Sequence, residues 1–128
     1  MDPVFLTLDE LLAIHFDQVE RYGGSHGLRD IGLLQSAAAM PSSTFSGEFL
    51  HHDVAGMAAA YLFHIVSNHP FIDGNKRVGA AAAIVFLAMN DTGMDAPEDE
   101  FEALVLAVAK GEASKGTVAD FLRRHIKG

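Results

Sequence analysis

The chain has 128 residues, 49% of them hydrophobic, and a formal net charge of -8. This size and apolar content fit a single domain, residues 1–128, that can bury a hydrophobic core, and the acidic balance argues against direct nucleic-acid binding, which normally uses a basic surface. No cysteine is present, so disulfides and thiolate metal sites are excluded, and a reducing compartment is compatible with the sequence.

The amino-terminal segment has no basic region before its apolar residues, whereas secretory signal peptides begin with one. No apolar run reaches the ~20 residues that are needed to span a bilayer. We therefore expect a cytoplasmic protein without a membrane segment.

Two helices are predicted in the first forty residues. Thr7 and Glu10 have the spacing of a capping box, and apolar residues then repeat at helical intervals to about Tyr22. The glycines that follow end this helix. Asp30 is a suitable N-cap for a short second helix that ends near residues 40–41.

Residues 41–52 have no helical period and predict an exposed flap. The serine–glycine pair at 46–47 lies between two phenylalanines, like the turn of a small hairpin. Asp53 follows directly and can cap a third helix that continues to about Asn68.

The most apolar helix is predicted to start at residue 75. Asn75 can cap it, and residues 78–89 are apolar or glycine around the whole circumference, which predicts a central helix surrounded by others. Gly79 and the alanines after it allow another helix to approach closely.

Two further helices complete the predicted fold. Pro97 suits the first turn of one that ends at Gly111, and Thr117 opens the last one. The residues predicted to face inward are Phe101, Leu104, Val105, Val108, Val118, Phe121, Leu122 and Ile126. Because no alternating strand pattern occurs outside the flap, the predicted fold class is all-α, with about six helices.

Residues 69–77, His-Pro-Phe-Ile-Asp-Gly-Asn-Lys-Arg, form one polar loop between two apolar helices. Gly74 and Asn75 place a permissive backbone and free N–H groups at a helix start, where the helix dipole favours an anion. Lys76 and Arg77 add positive charge. The stretch therefore predicts a phosphate site.

Asp73 and His69 complete this candidate site. The Asp73 carboxylate can hold a magnesium ion that bridges the same phosphates, since magnesium commonly uses one or two carboxylates plus substrate oxygens. Histidine suits general-base catalysis near neutral pH, so His69 could deprotonate an attacking hydroxyl. Taken singly, these residues also fit helix caps and a solvated turn. Two cations at a helix start, however, oppose the dipole unless an anion is present.

The nonapeptide resembles the signature loop of the Fic/Doc family, in its branch of death-on-curing toxins. The resemblance extends to Tyr22-Gly23-Gly24-Ser25, to Gly27-Leu28-Arg29-Asp30 and to Thr44-Phe45. It therefore covers nearly the whole chain. It implies a Fic-type helical bundle, a nucleotide bound as its magnesium complex, and transfer of a phosphate-containing group to a protein hydroxyl.

The resemblance also implies residue roles. By it, His69 corresponds to the base and Asp73 to the magnesium ligand. The groups that correspond to the phosphate cradle for ATP are Gly74, Asn75, Lys76 and Arg77. The last two also correspond to catalytic residues, and the flap would align the target protein as an added strand.

Three positions bear on which group is transferred. Lys76 stands where the adenylyl-transferring branch has glycine, and Ala80 where that branch often has a second arginine, although Gly74 is closer to that branch. The death-on-curing toxin phosphorylates a threonine of elongation factor Tu and stops translation. The resemblance thus implies transfer of the ATP γ-phosphate to a Thr or Ser hydroxyl of a translation factor. The alternatives are adenylyl transfer and, in another class, a binding partner without catalysis.

A cognate antitoxin is a further implied partner. The inhibitory pattern that the family uses in cis, Ser/Thr-x-x-x-Glu followed by Gly or Asn, is absent, because the nearest run, Thr44 to Glu48, continues with Phe49. A separate inhibitor would be a helix or a disordered tail laid in an apolar groove.

The histidine pair at 51–52, with Asp53 and His64, is an alternative candidate for a zinc or manganese site. Adjacent histidines cannot both face one site in a regular segment, and Asp53 is better used as a helix cap, so we favour the loop at 69–77. The histidines interpreted as surface or boundary residues are His15, His26 and His125.

Overall fold

The computed structural model describes residues 2–127, and the fold over this range is all-α. Its helices are α1 Leu8–Tyr22, α2 Ile31–Ala39, α3 Val54–Asn68, α4 Asn75–Met89, α5 Glu98–Ala109 and α6 Lys115–His125. A short 3-10 turn, Met40–Ser42, extends α2. The predicted fold class, a Fic-type bundle of about six helices, is confirmed.

Four two-residue strands form two small antiparallel sheets. Strands β1 (Thr44–Phe45) and β2 (Glu48–Phe49) pair across a two-residue turn, which confirms the predicted flap. Strands β3 (Gly93–Met94) and β4 (Ile126–Lys127) pair as well. Ile126 was predicted on the last helix but lies in β4. Helical periodicity does not predict this pair, because it joins residues 126–127 to the α4–α5 connection.

The central helix is α3, not α4 as predicted. Helix α3 packs against α2, α4, α5 and α6, and ten of its residues are buried. Helix α4 is apolar on all sides, but its outer face is open, with Ile84 43% and Val85 36% exposed. Apolar composition around a helix therefore does not by itself show that the helix is enclosed.

Helices α3 and α4 approach each other closely at Gly79, as predicted. A Cβ atom at this position would lie 2.6 Å from Cγ2 of Val66 and 3.2 Å from the carbonyl oxygen of Leu62. This contact fixes the angle at which the two helices leave the loop that joins them, because any side chain at Gly79 would push them apart.

The predicted caps of α1, α2 and α3 are confirmed. Thr7 and Glu10 form a capping box, and the Asp30 and Asp53 carboxylates accept N–H bonds in the first turns of α2 and α3. The predicted start of the last helix was wrong. Helix α6 is capped by the Ser114 hydroxyl, which accepts from the backbone N–H of Thr117, so the helix begins before that residue.

None of the helices within residues 2–127 has the length and apolar character required to cross a membrane.

Candidate active site

The loop of residues 69–77, called here the signature loop, joins the end of α3 to the start of α4. His69 is the C-cap of α3 and has a left-handed backbone, with φ 51° and ψ 55°. Its backbone N–H still donates to the Ile65 carbonyl, at 3.2 Å. Because the chain reverses its course at this residue, the His69 side chain is exposed at the mouth of the loop.

Asn75 was predicted to cap α4, and this prediction was wrong. Gly74, with φ 81°, is the N-cap and offers no side-chain acceptor, while Asn75 is the first helical residue. The buried Asn75 amide accepts from the Phe71 N–H and donates to the Phe71 carbonyl, both at 3.0 Å. Its side chain therefore stabilises the signature loop from within, and its backbone N–H remains as the group that can face an anion.

Asp73 is exposed, and its carboxylate is held in place by backbone donors. Oδ1 accepts from the Gly74 N–H at 2.8 Å, and Oδ2 accepts from the Ser25 N–H at 3.2 Å. The chain of the α1–α2 connection comes so close here that a Cβ atom on Gly24 would lie 2.8 Å from Oδ2. Two backbone donors thus fix an exposed carboxylate beside the start of α4.

The two cations predicted from the sequence lie in the first turn of α4. Lys76 is exposed and Arg77 is half-buried. Nη2 of Arg77 donates to the Gly23 carbonyl at 3.1 Å, and the guanidinium carbon lies 5.7 Å from the centre of the Tyr22 ring. Positive charge at a helix start opposes the dipole by a few tenths of a kcal/mol or more, and a negatively charged ligand bound there would offset this cost.

His15 was interpreted as a surface or boundary residue, and this interpretation was wrong. It is only 5% exposed, and its ring stacks on Phe71 with centroids 3.9 Å apart and planes 3° apart. Its Nε2 lies 2.9 Å from the Asp73 carbonyl oxygen, to which it donates. The signal was available, since His15 is four residues from both Leu11 and Val19 on the buried face of α1.

The connection between α1 and α2, residues 23–30, forms the back wall of the signature loop. Leu28 and Phe71 make a single antiparallel bridge, and the Ile72 N–H donates to the Gly27 carbonyl at 3.1 Å. Gly27 has φ 126°, and a Cβ atom there would lie 2.9 Å from Cδ1 of Ile72. The α1–α2 connection and the signature loop, which both carry part of the family resemblance, are therefore in direct contact.

A groove of about 650 Å³ opens beside the two cations of α4. Its apolar floor comes from the exposed face of α4 and from α5. It is lined by Gln18, Tyr22, Lys76, Arg77, Ala80, Ala81, Ile84, Glu98, Phe101, Glu102, Val105 and Leu106. A molecule bound here would therefore lie next to the candidate phosphate site, and we call this feature the α4–α5 groove.

The alternative metal cluster does not form. Asp53 is used twice, because its carboxylate caps α3 and also accepts from the Arg123 guanidinium at 2.7 Å. Nε2 of His64 lies 3.2 Å from Nζ of Lys115, and burial, reinforced by this cation, lowers the pKa of His64 to about 4. Among residues 2–127, no three His, Asp or Glu side chains are placed to hold a metal ion together.

The signature loop nevertheless suits magnesium bound with a nucleotide. That mode needs one or two carboxylates, with phosphate oxygens and water as the remaining ligands. Asp73 supplies one exposed carboxylate whose position is fixed by the Ser25 and Gly74 N–H groups. The cations and free backbone of the α4 start suit the phosphates. The donor set therefore fits a magnesium–ATP complex.

Known proteins are similar to this chain in sequence. The model of the Fic/DOC family matches residues 5–87. The chain is 34% identical over 120 residues to "Protein kinase doc" of Escherichia phage P1, which covers 93% of each chain. It is 36% identical over 100 residues to "Toxin Doc" of Mycolicibacterium smegmatis (strain ATCC 700084 / mc(2)155), which covers 77% of each chain.

Proposed function

Because the chain belongs to the Fic/DOC family, we propose that it is a toxin that transfers the γ-phosphate of ATP to a Ser or Thr hydroxyl of a translation factor. Elongation factor Tu is the candidate target, and arrest of translation in the cytoplasm is the expected result. The names of the two relatives support a toxin with a kinase-like activity. The acceptor hydroxyl, the use of ATP and a cognate antitoxin are part of this proposal.

The observation that carries the proposal is the start of α4. Its N-cap provides no side-chain acceptor, and two cations occupy its first turn where the dipole favours an anion. Lys76 and Arg77 would bind phosphate oxygens there, together with the backbone N–H groups that follow Gly74. Most of the catalysis of phosphoryl transfer is positioning and charge stabilisation of this kind.

His69 is proposed as the general base. Its imidazole would accept the proton of the acceptor hydroxyl while the hydroxyl oxygen bonds to the γ-phosphorus. The bond from that phosphorus to the β–γ bridging oxygen breaks in the same displacement, and ADP leaves with the electron pair. The proton ends on His69, the phosphoryl group on the protein target, and the two cations of α4 balance the charge of the phosphates.

Asp73 would hold magnesium. When bound, the ion neutralises part of the phosphate charge and orients the oxygens that it shares with the nucleotide. The residues of this chain contribute the fixed carboxylate, because the Ser25 and Gly74 N–H groups hold both oxygens of Asp73 in position.

The flap would bind the target next to the site. Its strands are two residues long and exposed except at Phe49, which is partly buried, and Phe45 is 74% exposed beside the turn. An extended segment of the target could pair with a free strand edge through backbone hydrogen bonds and place a hydroxyl side chain near His69. Recognition of this kind depends little on the target's side chains, so the flap positions the acceptor and does not identify it.

Adenylyl transfer is the alternative within the family. Glycine at position 76 would allow the backbone to wrap one phosphate closely, whereas Lys76 brings a long cationic side chain that itself takes a phosphate oxygen. We propose that this favours the orientation in which the γ-phosphate of ATP is nearest His69.

The α4–α5 groove is the proposed binding site for the antitoxin. Its apolar floor, with Ile84 and Leu106 each 43% exposed, suits the apolar face of a helix. Its rim carries Glu98 and Glu102 on one side and the two cations of α4 on the other. A peptide bound there would reach the phosphate site, so it should compete with ATP.

Mass spectrometry of a bacterial extract incubated with the purified protein, magnesium and ATP tests the proposal. A phosphate added to a Ser or Thr of one protein is the expected result, and an added AMP would establish the adenylyl alternative. If the protein retains a partner on an affinity resin but modifies nothing in the extract, it is a binding partner without catalysis.

A further inference from the structure

One exposed residue, Arg29, holds the backbone on both sides of the candidate base. Its Nε donates to the His69 carbonyl at 2.6 Å, and its Nη2 donates to the Asn68 carbonyl at 2.7 Å. Its own backbone N–H donates to the Pro70 carbonyl at 2.8 Å. Three consecutive carbonyls, at positions 68, 69 and 70, are therefore bound by a single residue of the α1–α2 connection.

These bonds matter because of the backbone conformation at His69. A left-handed conformation, with φ 51°, is unfavourable for any residue with a Cβ atom. Such a conformation persists only where the surrounding structure enforces it. The last carbonyls of a helix also lack partners within the helix, and a cation there is favoured by the dipole. The Arg29 guanidinium does both, because it stabilises the backbone conformation at His69 and supplies donors and positive charge to the last carbonyls of α3.

Within residues 2–127 the imidazole of His69 makes no hydrogen bond of its own. The direction in which its Cα–Cβ bond leaves the chain is therefore set by the backbone at positions 68–70. By contrast, the phosphate-binding groups at the start of α4 are fixed by other contacts, namely the Asn75 amide and the bonds to Asp73. Loss of Arg29 should then disturb the base and leave the phosphate site in place.

We propose that Arg29 is a positioning residue, which holds His69 in its left-handed conformation so that the imidazole faces the acceptor hydroxyl. The effect on rate rests on the proposed function, but the effect on backbone conformation does not. The two can therefore be tested separately in the same variants.

The test uses the full chain with Arg29→Ala, Arg29→Lys and a matched control, Arg21→Ala. Arg21 is also an exposed arginine, but it pairs with Asp17 on α1 and not with a residue of the signature loop. The backbone conformation at His69 is read by NMR from its HN–Hα coupling and its Cα and Cβ shifts. Transfer of γ-labelled phosphate to protein in a bacterial extract, at saturating ATP, gives the relative rate, and calorimetry gives magnesium–ATP affinity.

Arg29→Ala should shift the His69 signals away from the left-handed values and lower the transfer rate about 10- to 100-fold, because small displacements of a catalytic group are costly. Magnesium–ATP affinity should be unchanged. The His69 signals and the transfer rate of Arg29→Lys should lie between those of Arg29→Ala and the wild type, since a lysine ammonium cannot bind two carbonyls in the planar fork geometry of arginine. Guanidinium ion at low, non-denaturing concentration should restore both the shifts and the rate of Arg29→Ala.

Unchanged His69 signals in Arg29→Ala, matching those of Arg21→Ala, would overturn the inference even if the rate fell. A shifted His69 with an unchanged rate would also overturn it, provided that His69→Ala abolishes transfer. If His69→Ala itself transfers phosphate at the wild-type rate, His69 is not the general base and that part of the proposed function is wrong. The NMR result still decides whether Arg29 holds the backbone at His69.

Discussion

The starts of α3 and α4 belong to adjacent helices of 15 residues each, yet they satisfy their backbone groups in opposite ways. At α3 the Asp53 carboxylate accepts from the Gly56 N–H and is also paired with Arg123. At α4 a glycine stands at the cap, and Lys76 and Arg77 follow. The first start is capped by a side chain, whereas the second has no side-chain cap and keeps the exposed Lys76 in its first turn for a ligand.

This difference separates stability from function within one helix pair. Asp53 places negative charge where the dipole stabilises it, whereas the α4 start places positive charge where it is unfavourable. An unfavourable charge of this kind is typical of a functional site, where a bound ligand of opposite charge compensates for it. Changes at the α4 start should therefore alter transfer more than folding, and changes at the α3 start should do the reverse.

The largest effect is expected from His69→Ala, at the entrance to the α4 start. Transfer should fall about 10²- to 10⁴-fold, as is typical when a general base is lost. Binding of magnesium–ATP should remain near the wild-type level, because the phosphate contacts lie downstream. Single-turnover transfer and calorimetric binding measure the two quantities, with His125→Ala on α6 as a histidine control outside the site. A wild-type transfer rate would remove His69 as the base.

Lys76→Gly should have the next largest effect. Loss of one charged contact to phosphate, worth about 1.5–3 kcal/mol, corresponds to a fall in phosphoryl transfer of roughly 10- to 100-fold. The same change should raise the share of AMP among the transferred groups, since glycine permits a closer backbone wrap. Quantitative mass spectrometry of the modified target measures both products. Exposed Lys110, changed to glycine, is a control outside the site.

Asp73→Asn should act through magnesium. The amide keeps an oxygen for one of the N–H donors but loses the negative charge that the ion requires. The magnesium concentration for half-maximal transfer should rise on the order of tenfold, which corresponds to about 1.4 kcal/mol. Titration of transfer with magnesium at fixed ATP tests this, and a curve that coincides with the wild type would remove Asp73 from the metal site.

The smallest effect is expected at the α3 start, and it should appear in stability. Asp53→Ala should lower the free energy of unfolding by about 1 kcal/mol through loss of the cap, with transfer by the folded protein unchanged. Asp53→Asn keeps a capping oxygen and should lose less. Urea unfolding followed by circular dichroism measures both variants. An equal loss in the two would show that the cap is not the main contribution of Asp53.

Asp53 also makes stability depend on pH. The hydrogen bond from Arg123, helped by the Gly56 N–H, lowers the pKa of this carboxyl below its ordinary value. Its contribution is therefore complete above the ordinary carboxyl range near 3.9 and is lost as pH falls through the lower, folded value. Asp53→Asn should flatten the acid side of the stability profile, as unfolding at a series of acidic pH values would show.

Sequence reasoning succeeded where a structural feature depends on neighbours in the chain. The caps at Thr7, Asp30 and Asp53 and the flap turn are local, because a side chain bonds a backbone group only a few residues away. The signature loop could be recognised by its family resemblance for the same reason, since all of its residues lie within one stretch of nine.

Most of the failures concern contacts between distant parts of the chain. Asn75 is a local exception, because asparagine favours a cap position but its amide bonds the backbone of Phe71, four residues earlier in the loop. His15 and Arg29 lie 58 and 40 residues before the groups that they bind. The β3–β4 pair likewise needs the chain end to reach the α4–α5 connection. Periodicity carries no information on such contacts.

The most direct measurement of the central claim uses ATP labelled either at the α or at the γ position, incubated with the purified protein, magnesium and elongation factor Tu or a bacterial extract. Lys76 and the open start of α4 predict that label from the γ position alone reaches protein and that ADP is the other product. Label reaching protein from the α position would contradict the phosphotransferase account and establish adenylyl transfer.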